Sequence, residues 1–284
     1  MPASVSVIIP SLTGDVERVR ASVDRQTYRP SEVIVVTDVR PAGRARNQGA
    51  RLAISKYLLF VDDDAELGDT RVLERLVAAA EDDVDVAVAG TSRILPRSAT
   101  RLQRRIAFEV PRWEEPIVNV LVRTDPPLDK YGFSAATTTC CLVRRSAFEE
   151  VGGFNERLVT GEDPELFYRL RRAGHSFVIP ANAWTLHAPP ADFGEFLKKC
   201  FRYGIGHAQE ARHDPGRRMD LLPLDQKWSW IIVAAAPFLV LPMMYLDIRL
   251  QPAFSARVAF RPIQAIARLA TLAGYVWGWR GHGG

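Results

Sequence analysis

The chain has 284 residues, 47% of them hydrophobic and 25% charged, a balance that suits a folded globular protein and excludes global disorder. With 37 Lys and Arg against 33 Asp and Glu, the net charge is +4, too mild a bias to indicate a nucleic-acid partner. Three cysteines, two of them adjacent at Cys140 and Cys141, form neither a disulfide framework nor a zinc pattern and point to a reducing, cytosolic setting.

Residues 4–9 (SVSVII) read as a first strand rather than a signal peptide, ended by Pro10, Ser11 and Gly14. Val16, Val19 and Val23 then fall at helical spacing within 15–27. A second strand covers 32–37 (EVIVVT), closed by Asp38 and the turn residues Pro41 and Gly43. The segment 43–55 reads as a helix of small and basic residues. The run Tyr57-Leu58-Leu59-Phe60-Val61 reads as a strand buried on both faces, and it ends abruptly in Asp62-Asp63-Asp64. A helix over 72–80 and a strand over 84–89 continue an alternation that argues for a parallel-rich α/β sheet. From Arg93 to Lys130 the period is lost, and the expectation is a solvated irregular insertion with a basic stretch at Arg97, Arg101, Arg104 and Arg105. A strand over 137–143, a helix over 145–151 and the turn Gly152-Gly153 follow. Pro164 opens a helix whose apolar face is Leu166, Phe167 and Leu170, with Asp163 at its start, where unpaired backbone amides favour a carboxylate. Residues 176–179 form a strand, and 184–187 (WTLH) end the globular pattern.

Beyond His187 the character changes. Residues 193–212 form an amphipathic helix, aromatic on one side and basic on the other. Residues 228–246 carry no charge and approach the length of a bilayer span, with Trp228, Trp230 and Tyr245 near the ends and Pro237 and Pro242 inside. A second apolar stretch covers 263–279. Two complete spans would export Arg249, Arg257 and Arg261, against the positive-inside rule, so an in-plane or re-entrant anchor accommodates the charges better. A buried core helix is the competing reading. Three organisational parts result: a catalytic domain over 1–190, an amphipathic helix and linker over 191–226, and a hydrophobic membrane-associated segment over 227–284.

Two acidic stretches carry the chemistry. Asp62, Asp63 and Asp64 sit at the carboxyl end of a strand, where open α/β sheets place their ligands. Adjacent carboxylates repel, so they either cap the following helix or hold a hard divalent cation with phosphate oxygens. Glu162 and Asp163 follow Gly161. A capping role alone explains one acid, and the pair suggests a second catalytic carboxylate.

Five motifs in order, VSVIIPSL, GRARNQGARLA, LLFVDDDAEL, CLVRRSAFEEVGGFNERLVTGEDPELFYRLRRAG and the His of WTLH, resemble the inverting family 2 glycosyltransferases of GT-A fold over residues 5–187. The resemblance implies a mixed, Rossmann-like α/β sheet and a nucleotide-diphosphate sugar donor. It implies Mg²⁺ or Mn²⁺ held by Asp64, with Asp62 and His187 as further ligands. Asp163, with Glu162 beside it, would accept the proton of the acceptor hydroxyl. Pro10, Ser11, Asp38, Arg44, Arg46, Asn47, Asp62 and Asp63 would line the donor. Strand alternation turns Asp63 to the opposite face from Asp62 and Asp64. The chain departs from the family pattern after the second strand, where Asp38 runs almost directly into Gly43-Arg44-Ala45-Arg46-Asn47 without a further strand. The combination implies transfer of a sugar to a lipid-linked or membrane-held glycan acceptor at the cytoplasmic face of the membrane, in cell-envelope glycan synthesis. A nucleotidyltransferase of related fold would need a glycine-rich phosphate loop after the first strand, and residues 10–15 carry only Gly14. An inactive glycosyltransferase-like membrane scaffold is the remaining alternative, against which both acidic sets speak.

Overall fold

The computed structural model describes residues 3–110, 113, 117–123, 136–213, 224–250 and 261–281, with the side chains of 213 and 240–250 outside the description. Alternation along the largely buried strand β1 (Val5–Ser11) and the fully buried β3 (Tyr57–Val61) sorts their side chains into two layers. Val5, Val7, Ile9, Tyr57, Leu59 and Val61 pack with Val19 and Val23 of α1 (Glu17–Asp24) and with Leu73 and Leu76 of α3 (Val72–Asp82). Ile8, Leu58 and Phe60 face the other way. They meet α2 (Ala42–Leu52), Phe148 of α5 (Arg145–Glu150), Phe154, and Leu166 and Phe167 of α6 (Glu162–Arg172). Each large apolar side chain buried this way contributes about 1.5–3 kcal/mol, so β3 is among the most strongly fixed elements of the chain.

With β2 (Glu32–Thr37), β5 (Val86–Gly90), β7 (Val122–Arg123), β8 (Cys140–Arg144) and β9 (Ser176–Ile179), these strands form one sheet of order β2-β1-β3-β8-β5-β9-β7. β1 runs parallel to β2 and β3, whereas β8 is antiparallel to both β3 and β5. Val61 lies opposite Cys140, so the end of β3 and the entry to β8 share one edge. The ends of β1 and β2 reach the same edge, with Ser11 opposite Thr37. The sheet is mixed rather than parallel-rich, since β8 and β7 run antiparallel to their neighbours, a direction that an apolar strand buried on both faces does not reveal in sequence.

A second sheet of order β4-β10-β6 joins β4 (Glu66–Leu67), β6 (Ser92–Ile94) and β10 (Trp184–Leu186). Leu186 pairs with Glu66 antiparallel and with Ile94 parallel. The insertion expected to be irregular therefore contains β6, β7 and the helix α4 (Arg101–Glu109). Thr100 and Gln103 close that helix with a reciprocal capping box, which satisfies two of its orphan amides. Residues 124–130 of the insertion lie outside the described residues.

The chain divides into two compact units: 1–96 with 115–157 and 162–188, and 97–114 with 158–161 and 189–284. Within the second, α7 (Phe193–His213) crosses α9 (Pro262–Trp279) at close range. A Cβ on Gly204 would come within 1.9 Å of the Thr271 carbonyl, and one on Gly274 within 1.9 Å of the Phe201 carbonyl. Small residues thus allow backbone contact, in the manner of Gly-xxx-Gly pairs. The charge-free run 228–246 lies in α8 (Lys227–Leu250), where Trp228, Ile231 and Phe238 are exposed. Among the described residues no helix is long and apolar enough to cross a membrane. Residues 251–260, which hold Arg257, lie outside the described residues.

Candidate active site

The end of β3 delivers the three aspartates, and strand alternation separates them. Asp62 continues the even-numbered face toward α2 and α6. Asp63 continues the odd-numbered face, where the Ser11 hydroxyl bonds to it. Burial lifts the Asp63 carboxyl above its ordinary range, the Ser11 contact partly offsets this, and the flanking Asp64 and Asp62 add to the rise. Asp63 thus ties the ends of β3 and β1 together.

The small sheet brings His187 to Asp64. Because Leu186 pairs antiparallel with Glu66, the next residue returns past the turn after β3, and the His187 amide is fixed on the Ile94 carbonyl at 3.0 Å. His187 Nε2 stands 3.3 Å from Asp64 Oδ1. One ligand atom from each of Asp62, Asp64 and His187 lies within 4.8 Å of the others. His187 is buried, whereas Asp64 is 61% exposed. Two carboxylates and an imidazole converging on an open position fit a divalent cation such as Mg²⁺ or Mn²⁺.

Arg46 links this cluster to the second acid pair. It lies on α2, is only 4% exposed, and sends Nη2 to Asp62 Oδ1 at 2.7 Å and Nη1 to Glu162 Oε1 at 2.5 Å. Its guanidinium carbon sits 5.6 Å from the centre of the Phe154 ring. Burial opposes its charge, but Asp62, Glu162 and Asp163 outweigh that and hold it protonated above the ordinary arginine value.

Asp163 sits in the first turn of α6, half-buried beside the buried Glu162. Burial first, and the adjacent Glu162 second, push its carboxyl up to about 6, while Arg46 and the Thr138 amide pull it down. That amide donates to Asp163 Oδ2 at 3.5 Å. The helix-start position suggested a carboxylate stabilised by free amides; desolvation wins instead, since one long hydrogen bond does not replace a hydration shell. A carboxyl held near 6 beside a cation cluster is suited to exchanging a proton near neutral pH.

The other residues expected at the donor fall into two groups. Pro10, Ser11 and Asp38 are at the strand-end edge, Ser11 buried with its Oγ accepting from the Gly14 amide at 3.1 Å, and Asp38 exposed with φ of 57°. Arg44 is exposed on the first turn of α2. Asn47 is turned away from the acids. Its amide donates to the Phe154 carbonyl and to Glu156, both at 2.9 Å, and its Oδ1 accepts from the Phe154 amide at 2.9 Å. Asn47 therefore holds the 154–156 turn that carries the ring beneath Arg46. Phe154, Glu156 and the Thr138 amide were not singled out from sequence. The first two are within the quoted GGFNER motif, whereas nothing local signals the third. A separate cleft of about 610 Å³ is lined by Asn47, Arg51, Arg145, Phe148 and Glu156 among others, but not by Asp62, Asp64 or Asp163. Its charges pair with one another, Arg51 with Glu156 at 3.3 Å and Arg145 with Glu149 at 2.7 Å.

The loop before α6 is held by α7 within the second unit. Gln209 Oε1 accepts from the Val159 amide at 2.8 Å, and Thr160 Oγ1 donates to the Arg202 carbonyl at 3.0 Å. Gly206 leaves room for Thr160, whose carbonyl oxygen would lie 2.3 Å from a Cβ there.

Comparison with known proteins agrees with this geometry. The family model described as glycosyltransferase like family 2 matches residues 2–206. The chain is 28% identical over 253 residues to the glycosyltransferase AglE of Haloferax volcanii, covering 87% of this chain and 76% of that protein. It is 26% identical over 164 residues to the O-antigen chain rhamnosyltransferase RfbN of Salmonella typhimurium, covering 55% of this chain and only half of that protein. The fold matches that of the mannosyltransferase PcManGT from Pyrobaculum calidifontis, solved with GDP-Man and Mn²⁺, with a TM-score of 0.61 at 14% identity over all of this chain and 89% of the other. The mixed seven-stranded sheet is that of the GT-A fold. A family match across most of the chain, on a sheet edge that gathers acids, imidazole and guanidinium, assigns the protein to the family 2 glycosyltransferases, enzymes that use nucleotide-sugar donors.

Proposed function

We propose that the chain is a metal-dependent, inverting glycosyltransferase that moves a sugar from a nucleotide-diphosphate donor to a lipid-linked glycan acceptor. The observation that carries this reading is the link that Arg46 makes between an Asp62–Asp64–His187 cluster and Glu162, the neighbour of Asp163, whose carboxyl is raised to about 6.

Asp62, Asp64 and His187 would hold Mg²⁺ or Mn²⁺. When bound, such a cation offsets the charge that builds on the leaving diphosphate. Asp163, ionised above about pH 6, accepts the proton of the acceptor hydroxyl. The freed oxygen forms its bond to the anomeric carbon as the bond from that carbon to the diphosphate oxygen breaks, and the nucleotide leaves with the electron pair. A single displacement inverts the anomeric centre. Glu162, paired with Arg46, keeps a second negative charge beside Asp163 and so favours proton uptake there. Pro10, Ser11, Asp38 and Arg44 are the proposed donor contacts along the strand ends. The acceptor class is supported by the O-antigen chain role in the name of RfbN. Exposed Trp228, Ile231 and Phe238 on α8 support attachment of the C-terminal helices in the plane of the cytoplasmic membrane face. Attachment would raise the effective concentration of a membrane-held acceptor.

The test is nucleotide release from a panel of UDP-, GDP- and dTDP-sugars with lipid-phosphate-linked acceptors, with and without Mn²⁺. The reading expects release that requires metal and acceptor together, with an inverted anomeric product. Release that is insensitive to chelation, or a product that retains configuration, contradicts it.

A further inference from the structure

The sequence pattern assigns Arg46 to the donor, yet its side chain is buried and both terminal nitrogens are already engaged. Nε has no hydrogen-bond partner among the described residues, and the guanidinium plane rests near Phe154, which Asn47 fixes in turn. The two carboxylates it grips come from different elements and different halves of the proposed chemistry. Asp62 ends β3 and belongs to the cation cluster, and Glu162 opens α6 beside the proton acceptor. They are 100 residues apart in sequence, and no peptide segment joins them locally.

We infer that Arg46 is a positioning residue that couples the cation cluster to the acceptor acids by clamping Asp62 and Glu162 on one guanidinium fork. This rests on the metal reading given above. The clamp works through geometry as well as charge. Holding Oδ1 of Asp62 fixes the rotamer of a carboxylate that converges with Asp64 and His187. Holding Oε1 of Glu162 fixes the first turn of α6, and Asp163 with it. A planar guanidinium can serve two carboxylates at once from its two ends; an ammonium at the same place is a single point charge. The role is therefore specific to arginine.

The experiment is titration of the full chain with Mn²⁺ alone by calorimetry, for the unmodified protein, Arg46→Lys and Glu162→Gln, with circular dichroism as the check on folding. Arg46→Lys is expected to weaken Mn²⁺ binding by about 10–100-fold, the range seen when groups behind a metal ligand are altered. Glu162→Gln, which leaves Arg46 and Asp62 intact, is expected to weaken it in the same direction although Glu162 is not a ligand. It also keeps the inference testable if Arg46→Lys does not fold. In turnover, Arg46→Lys should lower kcat while leaving the donor KM nearly unchanged, as befits an interaction outside the bound donor. Unaltered Mn²⁺ affinity in both variants overturns the coupling and leaves the metal reading standing. A rise in donor KM without loss of kcat overturns it in favour of direct donor contact. Failure of the unmodified chain to bind Mn²⁺ overturns the metal reading and the coupling together. Failure of every tested donor leaves the Mn²⁺ titration still decisive for the coupling.

Discussion

Two runs of adjacent acids, both built from carboxylates, occupy different environments. The run after β3 opens to solvent at Asp64, pairs Asp62 with Arg46, and converges with His187. The run at the start of α6 has Glu162 buried and Asp163 half-buried, and desolvation with like-charge crowding pushes Asp163 up to about 6. The first arrangement suits permanent negative charge awaiting a cation, and the second suits a carboxyl that takes up and gives back a proton. Environment, not residue type, separates the two runs, a pattern common where two carboxylates share one site.

Replacing Asp163 should break this contrast most severely. Asp163→Asn is expected to lower kcat by about 10²–10⁴-fold, the usual contribution of a general base, while Mn²⁺ affinity measured by calorimetry changes little. Loss of both in equal measure would mean that the two runs form one ligand set. On the exposed side, Asp64→Asn or His187→Ala should weaken Mn²⁺ binding by more than about 10-fold, since even indirect changes behind metal ligands cost that much. If turnover fell without a change in Mn²⁺ affinity, the cluster would not be the cation site.

Much of this contrast was legible in sequence, but not its cause. The apolar run of β3 ending in three aspartates announces a strand end, and period-two alternation already separates Asp63 from its neighbours. The short strands β4, β6 and β10, of two or three residues, carry no readable period, so the sheet that brings His187 to Asp64 was invisible. The helix α4 was passed over because basic side chains mask its short apolar stripe, although Thr100 and Gln103 hold the capping-box spacing. Arg46 sits in a helix of small and basic residues and is given by the resemblance as a donor contact. Its burial depends on Glu162, 116 residues away, a pairing that no local pattern encodes. Asp163 reads from sequence as a catalytic carboxylate at a helix start, but the raised protonation set by its packing is not legible there.

The linkage between protonation and folding sharpens the comparison further. Asp163 titrates higher when folded than the usual carboxylate range, so its contribution to stability is fully present below that range and is lost as pH rises through about 6. Metal-free Asp163→Asn should therefore unfold at a higher temperature than the unmodified chain at pH 7. The advantage should vanish below pH 4, and thermal scans at the two pH values check it. An advantage of the same size at both would assign the effect to packing.

Smaller effects should follow where neither acid run is touched. Gly274→Ala places a methyl group against the Phe201 carbonyl, and overpacking of this kind costs about 1–3 kcal/mol. Urea unfolding should register that loss while the pH profile of turnover stays in place. Gly206→Ala would meet Thr160 and press on the loop that runs into Glu162. It should lower stability in the same assay, and an unchanged unfolding midpoint would show that the loop yields to the added methyl group.

The most direct test of Asp163 as the proton acceptor is the pH dependence of kcat/KM for the full chain with Mn²⁺ and a donor that supports turnover. The account predicts an acid limb with a midpoint no higher than about 6. It also predicts that Asp163→Asn abolishes this limb and leaves a slow rate that does not vary with pH. A variant that keeps the same limb at a comparable rate would contradict it.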